Sequence, residues 1–332
     1  MVQPLLSVEN LKVHFDTDYG LVRAVDGISY HVKENEIIGL VGESGCGKSV
    51  SQLATLQLIP SPPGKIVEGR ILFEGRDLLQ LHPSSPEMCA IRGGKISMIF
   101  QEPMTSLNPA LTIGRQIAEM LILHLGMREG EARKRAVDIL KLVGIPDAEK
   151  RVEDYPHQFS GGMRQRVMIA MAISCNPKLI IADEPTTAVD VTIQAQLLEL
   201  LSGLVERYKS SLIIVTHNLG VVARYASRLY VMYAGRIVES ASCEELFLRP
   251  LHPYTIGLLK SVPRLDDPPG KRLVPIEGLP PDLVNMPPQC AFLPRCNERI
   301  KRCEQEPWPP LIEVGEGHHV ACHRVEGKKD ER

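Results

Sequence analysis

Ile37-Ile38-Gly39-Leu40-Val41-Gly42-Glu43-Ser44-Gly45-Cys46-Gly47-Lys48-Ser49 joins an apolar run to the pattern G-x-x-x-x-G-K-S. The run is short and bounded by glycine, so it reads as a buried parallel strand, with a helix opening near Lys48. Gly42, Gly45 and Gly47 let the backbone turn tightly and approach a phosphate, aiming successive N–H groups and a helix N-terminus at negative charge. Lys48 adds a positive charge for the terminal phosphates, and the Ser49 hydroxyl is placed to ligate Mg²⁺. A glycine-rich turn alone would not explain strand, spaced glycines and Lys-Ser occurring together.

The 332 residues suffice for two or three domains with a substantial core. With 44% hydrophobic and 23% charged residues and a net charge of −2, the composition favours neither disorder nor a nucleic-acid surface. No stretch approaches the roughly 20 apolar residues of a membrane span, and Met1 to Asn10 lacks the basic and apolar regions of a leader. A cytosolic location is therefore expected, with the 8 cysteines held as thiols or metal ligands rather than disulfides.

Leu5 to Phe15, Val22 to Val32 and Arg70 to Phe73 alternate loosely and read as antiparallel strands. Phe15 and Tyr19 are the aromatic candidates there to stack on a purine. Beyond Gln101-Glu102-Pro103 the pattern turns helical. Ala132, Ala136, Ile139, Leu140 and Val143 share one helical face, and Gly144 is a natural stop.

Phe159-Ser160-Gly161-Gly162-Met163-Arg164-Gln165-Arg166 then precedes the apolar run Val167 to Ile173, a second helix N-terminus suited to an anion. One nucleotide hardly needs both grips from one molecule, so the second can serve a nucleotide held by another subunit. Leu179-Ile180-Ile181-Ala182-Asp183-Glu184 is an apolar strand ending in adjacent carboxylates. Neighbouring side chains point apart, so Asp183 can hold the Mg²⁺ shell while Glu184 faces the attacking water. Another apolar strand, Ser211 to Thr216, ends at His217, where such sheets place ligand-binding groups.

Together these residues resemble the ATP-binding cassette (ABC) ATPases over about residues 5–245. Gly42 to Ser49 is similar to Walker A, Gln101 to the Q-loop, Ser160-Gly161-Gly162-Met163 to the signature, Leu179 to Glu184 to Walker B, Thr187 to Asp190 to the D-loop, and His217 to the switch histidine. Met163 departs from the commonest signature, which has glutamine.

The resemblance implies an α/β fold: a P-loop ABC ATPase with a RecA-like core, an antiparallel β subdomain and a helical subdomain over about residues 102–158, within a nucleotide-binding domain spanning 1–248. It assigns ATP contacts to Phe15, Gly42, Glu43, Ser44, Gly45, Cys46, Gly47, Lys48, Ser49 and Val50. Across a head-to-tail dimer it adds Ser160, Gly161, Gly162, Met163 and Asp190. Ser49, Gln101 and Asp183 would hold Mg²⁺, and Glu184, His217 and Gln101 would be catalytic, Gln101 also acting as hinge to the helical lobe.

Arg249-Pro250-Leu251-His252-Pro253-Tyr254-Thr255 and the proline-rich run to Pro288 resemble the C-terminal extension of peptide and nickel importer ATPases, giving a second region at 249–332. Implied partners are a sister ATPase in a heterodimer or a second copy, two membrane permease subunits and an extracytoplasmic binding protein, with the chain peripheral on the cytoplasmic membrane face. Peptides are the expected cargo, with nickel or sugars as alternatives. A soluble ABC ATPase acting on ribosomes or DNA is disfavoured by the single cassette, the net charge of −2 and the His252-Pro253-Tyr254-Thr255 tail.

Cys290, Cys296, Cys303 and Cys322 are expected to ligate a 4Fe-4S cluster, with zinc as the alternative and His318, His319 or His323 as substitute ligands. Arg295, Arg299, Lys301 and Arg302 lie among the cysteines, where they could offset cluster charge. The surrounding prolines argue for a lobe with little core, in need of a staple.

Overall fold

A computed structural model describes residues 3–186, 191–261 and 275–326. The chain packs as two compact units: Met1–Val32, Ile37–Leu79 and Thr216–Arg332 form one, and Lys33–Glu36 with Gln80–Val215 the other.

In the first unit, Gly20–Val32, Leu6–Thr17, Gly64–Phe73 and Arg76–Asp77 form an antiparallel sheet in that order. The loose alternation of the sequence has a local cause. Val8 faces Tyr30 and Leu11 faces Ile28, so one strand carries an extra residue, and Asn10 there takes φ +48°. The bulge switches the inward set from Leu6 and Val8 to Leu11 and Val13, all buried.

A second sheet in this unit begins with Ile37–Val41, paired in parallel with Arg228–Tyr233. Antiparallel strands follow: Arg236–Ser242, then His318–Val320, then Ile312–Gly315. The last two belong to the tail, which is therefore less irregular than its prolines suggest. Glu239 supplies the reason. Fully buried, its carboxylate accepts from the backbone N–H groups of Leu251 and His252 at 2.7 and 3.0 Å and meets His318 Nε2 at 2.8 Å. A buried carboxylate needs such partners, so three tail residues are drawn to one strand.

The tail also has a core. Tyr233, Tyr254 and Phe292 bring their rings within 4.5 to 5.5 Å of one another, and Trp308 lies under the Arg236 guanidinium at 4.8 Å. The expectation of a lobe needing a metal staple fails for this reason: its apolar groups are buried with those of the nucleotide-loop sheet.

In the second unit, Ile96–Ile99, Leu179–Asp183 and Ser211–Thr216 pair in parallel. Leu179 to Asp183 are all buried, which accounts for the uninterrupted apolar run. Helices Ile113–Leu125, Glu129–Leu142 and Gly161–Ile173 pack together. In Glu129–Leu142 the buried residues are Ala132, Ala136, Ile139 and Leu140, the face read from the sequence, and Gly144 ends the turn at φ +77°. Among the described residues no helix is long and apolar enough to cross a membrane.

His252 gives the fold a pH dependence. Its Nδ1 accepts from Tyr254 N at 3.1 Å, and burial pushes its pKa from 6.5 down to about 4, against a partial opposing pull from Glu239. Between those values the unfolded chain binds a proton that the folded chain refuses. Stability is thus intact above about pH 6.5 and declines as pH falls toward 4, by at most roughly 3 kcal/mol. Urea unfolding at pH 7 and 4.5 should show a smaller acid loss in His252→Asn, whose amide oxygen can accept the same N–H without titrating.

Candidate functional site

The loop Gly42 to Gly47 leads from strand Ile37–Val41 into helix Lys48–Thr55. Glycine is compulsory at two positions. A Cβ on Gly42 would lie 2.2 Å from the Met232 carbonyl oxygen, and one on Gly47, at φ +100°, 2.0 Å from that of Ala24. Ser44 and Gly45 are exposed, while Cys46 is buried and its thiol is pushed up by desolvation. Ser49 and Val50 lie half-buried in the first turn of the helix.

Lys48 is only 5% exposed, and its Nζ donates to Gly42 O at 2.8 Å and Glu43 O at 2.9 Å, with Cys46 Sγ at 3.8 Å. All of these partners are neutral. A buried ammonium solvated only by carbonyls and a thiol is poorly compensated, so the loop favours an arriving polyanion. This is the fit expected of a triphosphate site.

The nearby Glu43 carboxylate is occupied elsewhere. Arg295 grips it with two hydrogen bonds of 2.6 and 2.9 Å, and Glu43 N donates to Tyr254 Oη at 2.7 Å. Neither contact is legible in the sequence, where Arg295 stands among the charges around the cysteines. Separations of 252 and 211 residues leave no local signal for them.

In the second unit, Asp183 ends its strand 4% exposed. Glu184 follows with φ +45°, an uncommon conformation for a side chain of its kind, fixed by its N–H donating to Val215 O at 2.9 Å. Gln101 Nε2 donates to Glu184 Oε2 at 3.0 Å. The structure thus joins two of the three expected catalytic residues and gives the adjacent carboxylates different surroundings. His217, in the other unit, is exposed just beyond strand Ser211–Thr216.

Ser160 caps helix Gly161–Ile173, its hydroxyl accepting from Met163 N at 3.4 Å. Ser160 and Gly161 are exposed, and a Cβ on Gly161 would meet nothing within 4 Å. Nothing in the packing of its own unit demands that glycine. Phe15 is half-buried and faces Val22 and Gly64 across its sheet, whereas Tyr19 is 89% exposed on the hairpin. Tyr19, rather than Phe15, lines a groove of about 630 Å³ with Asp16 to Asp18, Val22, Pro63, Asp282 and Val284. Asp190, with the rest of Thr187 to Asp190, lies outside the described residues.

The metal expectation is overturned. Cys290, Cys296, Cys303 and Cys322 do line a common cavity, but its volume is about 20 Å³, room for little more than one water. Among the described residues no group of three or more His, Cys, Asp or Glu is disposed to hold a metal ion. Burial pushes the Cys290 thiol up to about 12 and that of Cys322 up to about 11. Two of the three substitute histidines are engaged: His318 Nε2 meets Glu239, and His323 Nε2 meets Pro307 O at 3.0 Å. Neither the 4Fe-4S cluster nor zinc is retained as a cofactor. Of the basic residues thought to offset a cluster, Arg295 pairs with Glu43 and Arg302 with Glu306.

Comparison with known proteins defines the class. Residues 25–187 match the ABC transporter family, and residues 238–303 match the oligopeptide/dipeptide transporter C-terminal region. The chain is 28% identical to a dimeric bacterial ABC transporter cassette, MJ0796, with a TM-score of 0.63 over 72% of this chain and 98% of that one. It is 51% identical to the oligopeptide transport ATP-binding protein AppD of Bacillus subtilis (strain 168), over 97% of both chains. Identity to the dipeptide transport ATP-binding protein DppD of the same organism is 50%, over 97% of this chain and 95% of the relative.

The chain belongs to the ATP-binding subunits of ABC transporters, with a RecA-like P-loop fold. Within them it falls in the peptide importer family, as an ATPase that energises peptide uptake.

The close approaches at the loop make a sharp expectation. Gly47→Ala should abolish measurable ATP binding in an equilibrium titration, because the added Cβ forces the loop away from Ala24 O.

Proposed function

We propose that the chain is the ATP-hydrolysing subunit of an importer of di- or oligopeptides, acting on the cytoplasmic membrane face with two permease subunits and an extracytoplasmic binding protein. The observation that carries this reading is the buried Lys48 ammonium held only by neutral groups, a charge awaiting a triphosphate. Loop N–H groups from Gly42 to Ser49 and the Lys48 ammonium bind the phosphates. Ser49, Gln101 and Asp183 are the Mg²⁺ residues; the bound ion supplies charge neutralisation at the phosphates. Glu184 orients the attacking water and takes its proton as the bond to the γ-phosphorus forms and the bond to the ADP oxygen breaks. His217 contacts the γ-phosphate, and Phe15 stacks on the adenine.

The exposed Ser160-Gly161 helix start supports a head-to-tail dimer, with a sister ATPase as the physiological partner. There Ser160, Gly161, Gly162 and Met163 meet the nucleotide of the opposite subunit. The helical subdomain at about residues 102–158 couples to the permeases, and residues 249–332 form the peptide-importer extension.

Glu184→Gln should retain ATP affinity while single-turnover hydrolysis falls by about 10²–10⁴-fold, the usual range for a general base. Unchanged hydrolysis would remove Glu184 from that role. In a mixed dimer, Ser160→Arg in one subunit should impair turnover at the other subunit's Lys48 site and spare ATP binding at its own. Full activity of the monomer across a dilution series would refute the shared-site arrangement.

A further inference from the structure

Glu43 presents an electrostatic difficulty. A carboxylate inside a loop built for a polyanion repels that polyanion, and its own backbone oxygen already touches Lys48 Nζ at 2.9 Å. Left alone, such a carboxylate would be drawn to the ammonium and stand in for the phosphates.

Arg295 prevents this. It sits in the short turn Leu293–Arg295, between Cys290 and Cys296, and is 9% exposed overall. Besides its two bonds to Glu43, Nε donates to Glu277 O at 3.0 Å, and the terminal nitrogens reach Ile276 O and Tyr233 Oη, each at 3.4 Å. The guanidinium also lies 5.9 Å from the ring centres of Tyr233 and Phe292. A group so fully engaged cannot swing away to serve another partner, and the planar fork matches a carboxylate in a way a lysine could not. Tyr254 acts alongside it. Pro253 opens helix Pro253–Lys260, His252 caps it through Tyr254 N, and the Tyr254 hydroxyl is thereby aimed at Glu43 N.

We propose that Arg295 is a positioning residue for nucleotide binding: it holds the Glu43 carboxylate away from Lys48, leaving that ammonium available to the incoming triphosphate and making the C-terminal extension a determinant of ATP affinity. The inference rests on the reading of Gly42 to Ser49 as the phosphate loop, which Lys48→Ala tests separately.

The experiment is equilibrium binding of ATP, with excess Mg²⁺, to the full-length chain and its variants, each first shown to melt cooperatively. Arg295→Ala should raise the Kd for ATP by at least about tenfold, because removing one partner of a buried charge pair strands the other. Glu43→Gln, which keeps the shape and removes the charge, leaves Arg295 without its anionic partner, and its Kd is the reference for the double variant. The double variant should return to within about threefold of Glu43→Gln, since no carboxylate remains to be held.

Recovery of this kind distinguishes positioning from structural support, because a merely structural loss would persist in the double variant. Parental affinity in Arg295→Ala, or a double variant as weak as Arg295→Ala, overturns the proposal. Should Arg295→Ala not fold, Arg295→Gln with and without Glu43→Gln makes the same comparison. Parental ATP binding by Lys48→Ala would instead refute the phosphate-loop reading.

Discussion

A positive charge held nearly out of water is expensive unless something negative completes it, and Lys48 is such a charge, surrounded by the Gly42 and Glu43 carbonyls and the Cys46 thiol. Much of the first unit follows from keeping that arrangement intact. The parallel strand Ile37–Val41 fixes where the loop begins, while the Met232 and Ala24 carbonyls press against Gly42 and Gly47 so closely that no side chain fits. Arg295 and Tyr254 then occupy the polar groups of Glu43, the residue best placed to spoil the site.

The tail is a structural part of the nucleotide-loop unit rather than an appendage. Its strand His318–Val320 extends the sheet, its aromatic residues share a core with Tyr233, and buried Glu239 gathers Leu251, His252 and His318. The cysteines fit this picture as packed side chains around a cavity near the size of a water, with burial opposing ionisation of Cys290 and Cys322. The expectation of metal ligation rests on the spacing of the cysteines, the basic residues among them, the surrounding prolines and the family resemblance. Against ligation stand the small space between the sulfurs and, among the described residues, the absence of any group disposed to hold a metal ion.

In the second unit, the same strand end gives adjacent carboxylates different environments. Asp183 is buried at the last strand position, while Glu184 has turned into the left-handed region and accepts from Gln101. Strain of this sort persists only where neighbouring structure enforces it, here through the bond from Glu184 N to Val215 O. Residue order therefore suffices to suggest two roles, and backbone geometry separates the two groups physically.

Features determined by the sequence alone are those in which cause and signal are local. The Gly-Lys-Ser loop, the apolar run before Asp183 and the one-sided apolar spacing of Glu129–Leu142 each state a backbone requirement or a burial pattern within a few residues. The loose alternation of Leu6–Thr17 was legible as strand, but not the bulge at Asn10 that reverses which side chains face inward. Tertiary structure decided the rest, because the pairings involve chain-distant partners. Arg295 meets Glu43 across 252 residues, and its position among cysteines suggested a different task. The groove beside Tyr19 likewise exists only because Asp282 and Val284 return to the first hairpin. Burial, direction and cavity volume arise when separate segments pack together, and no spacing along the chain encodes them.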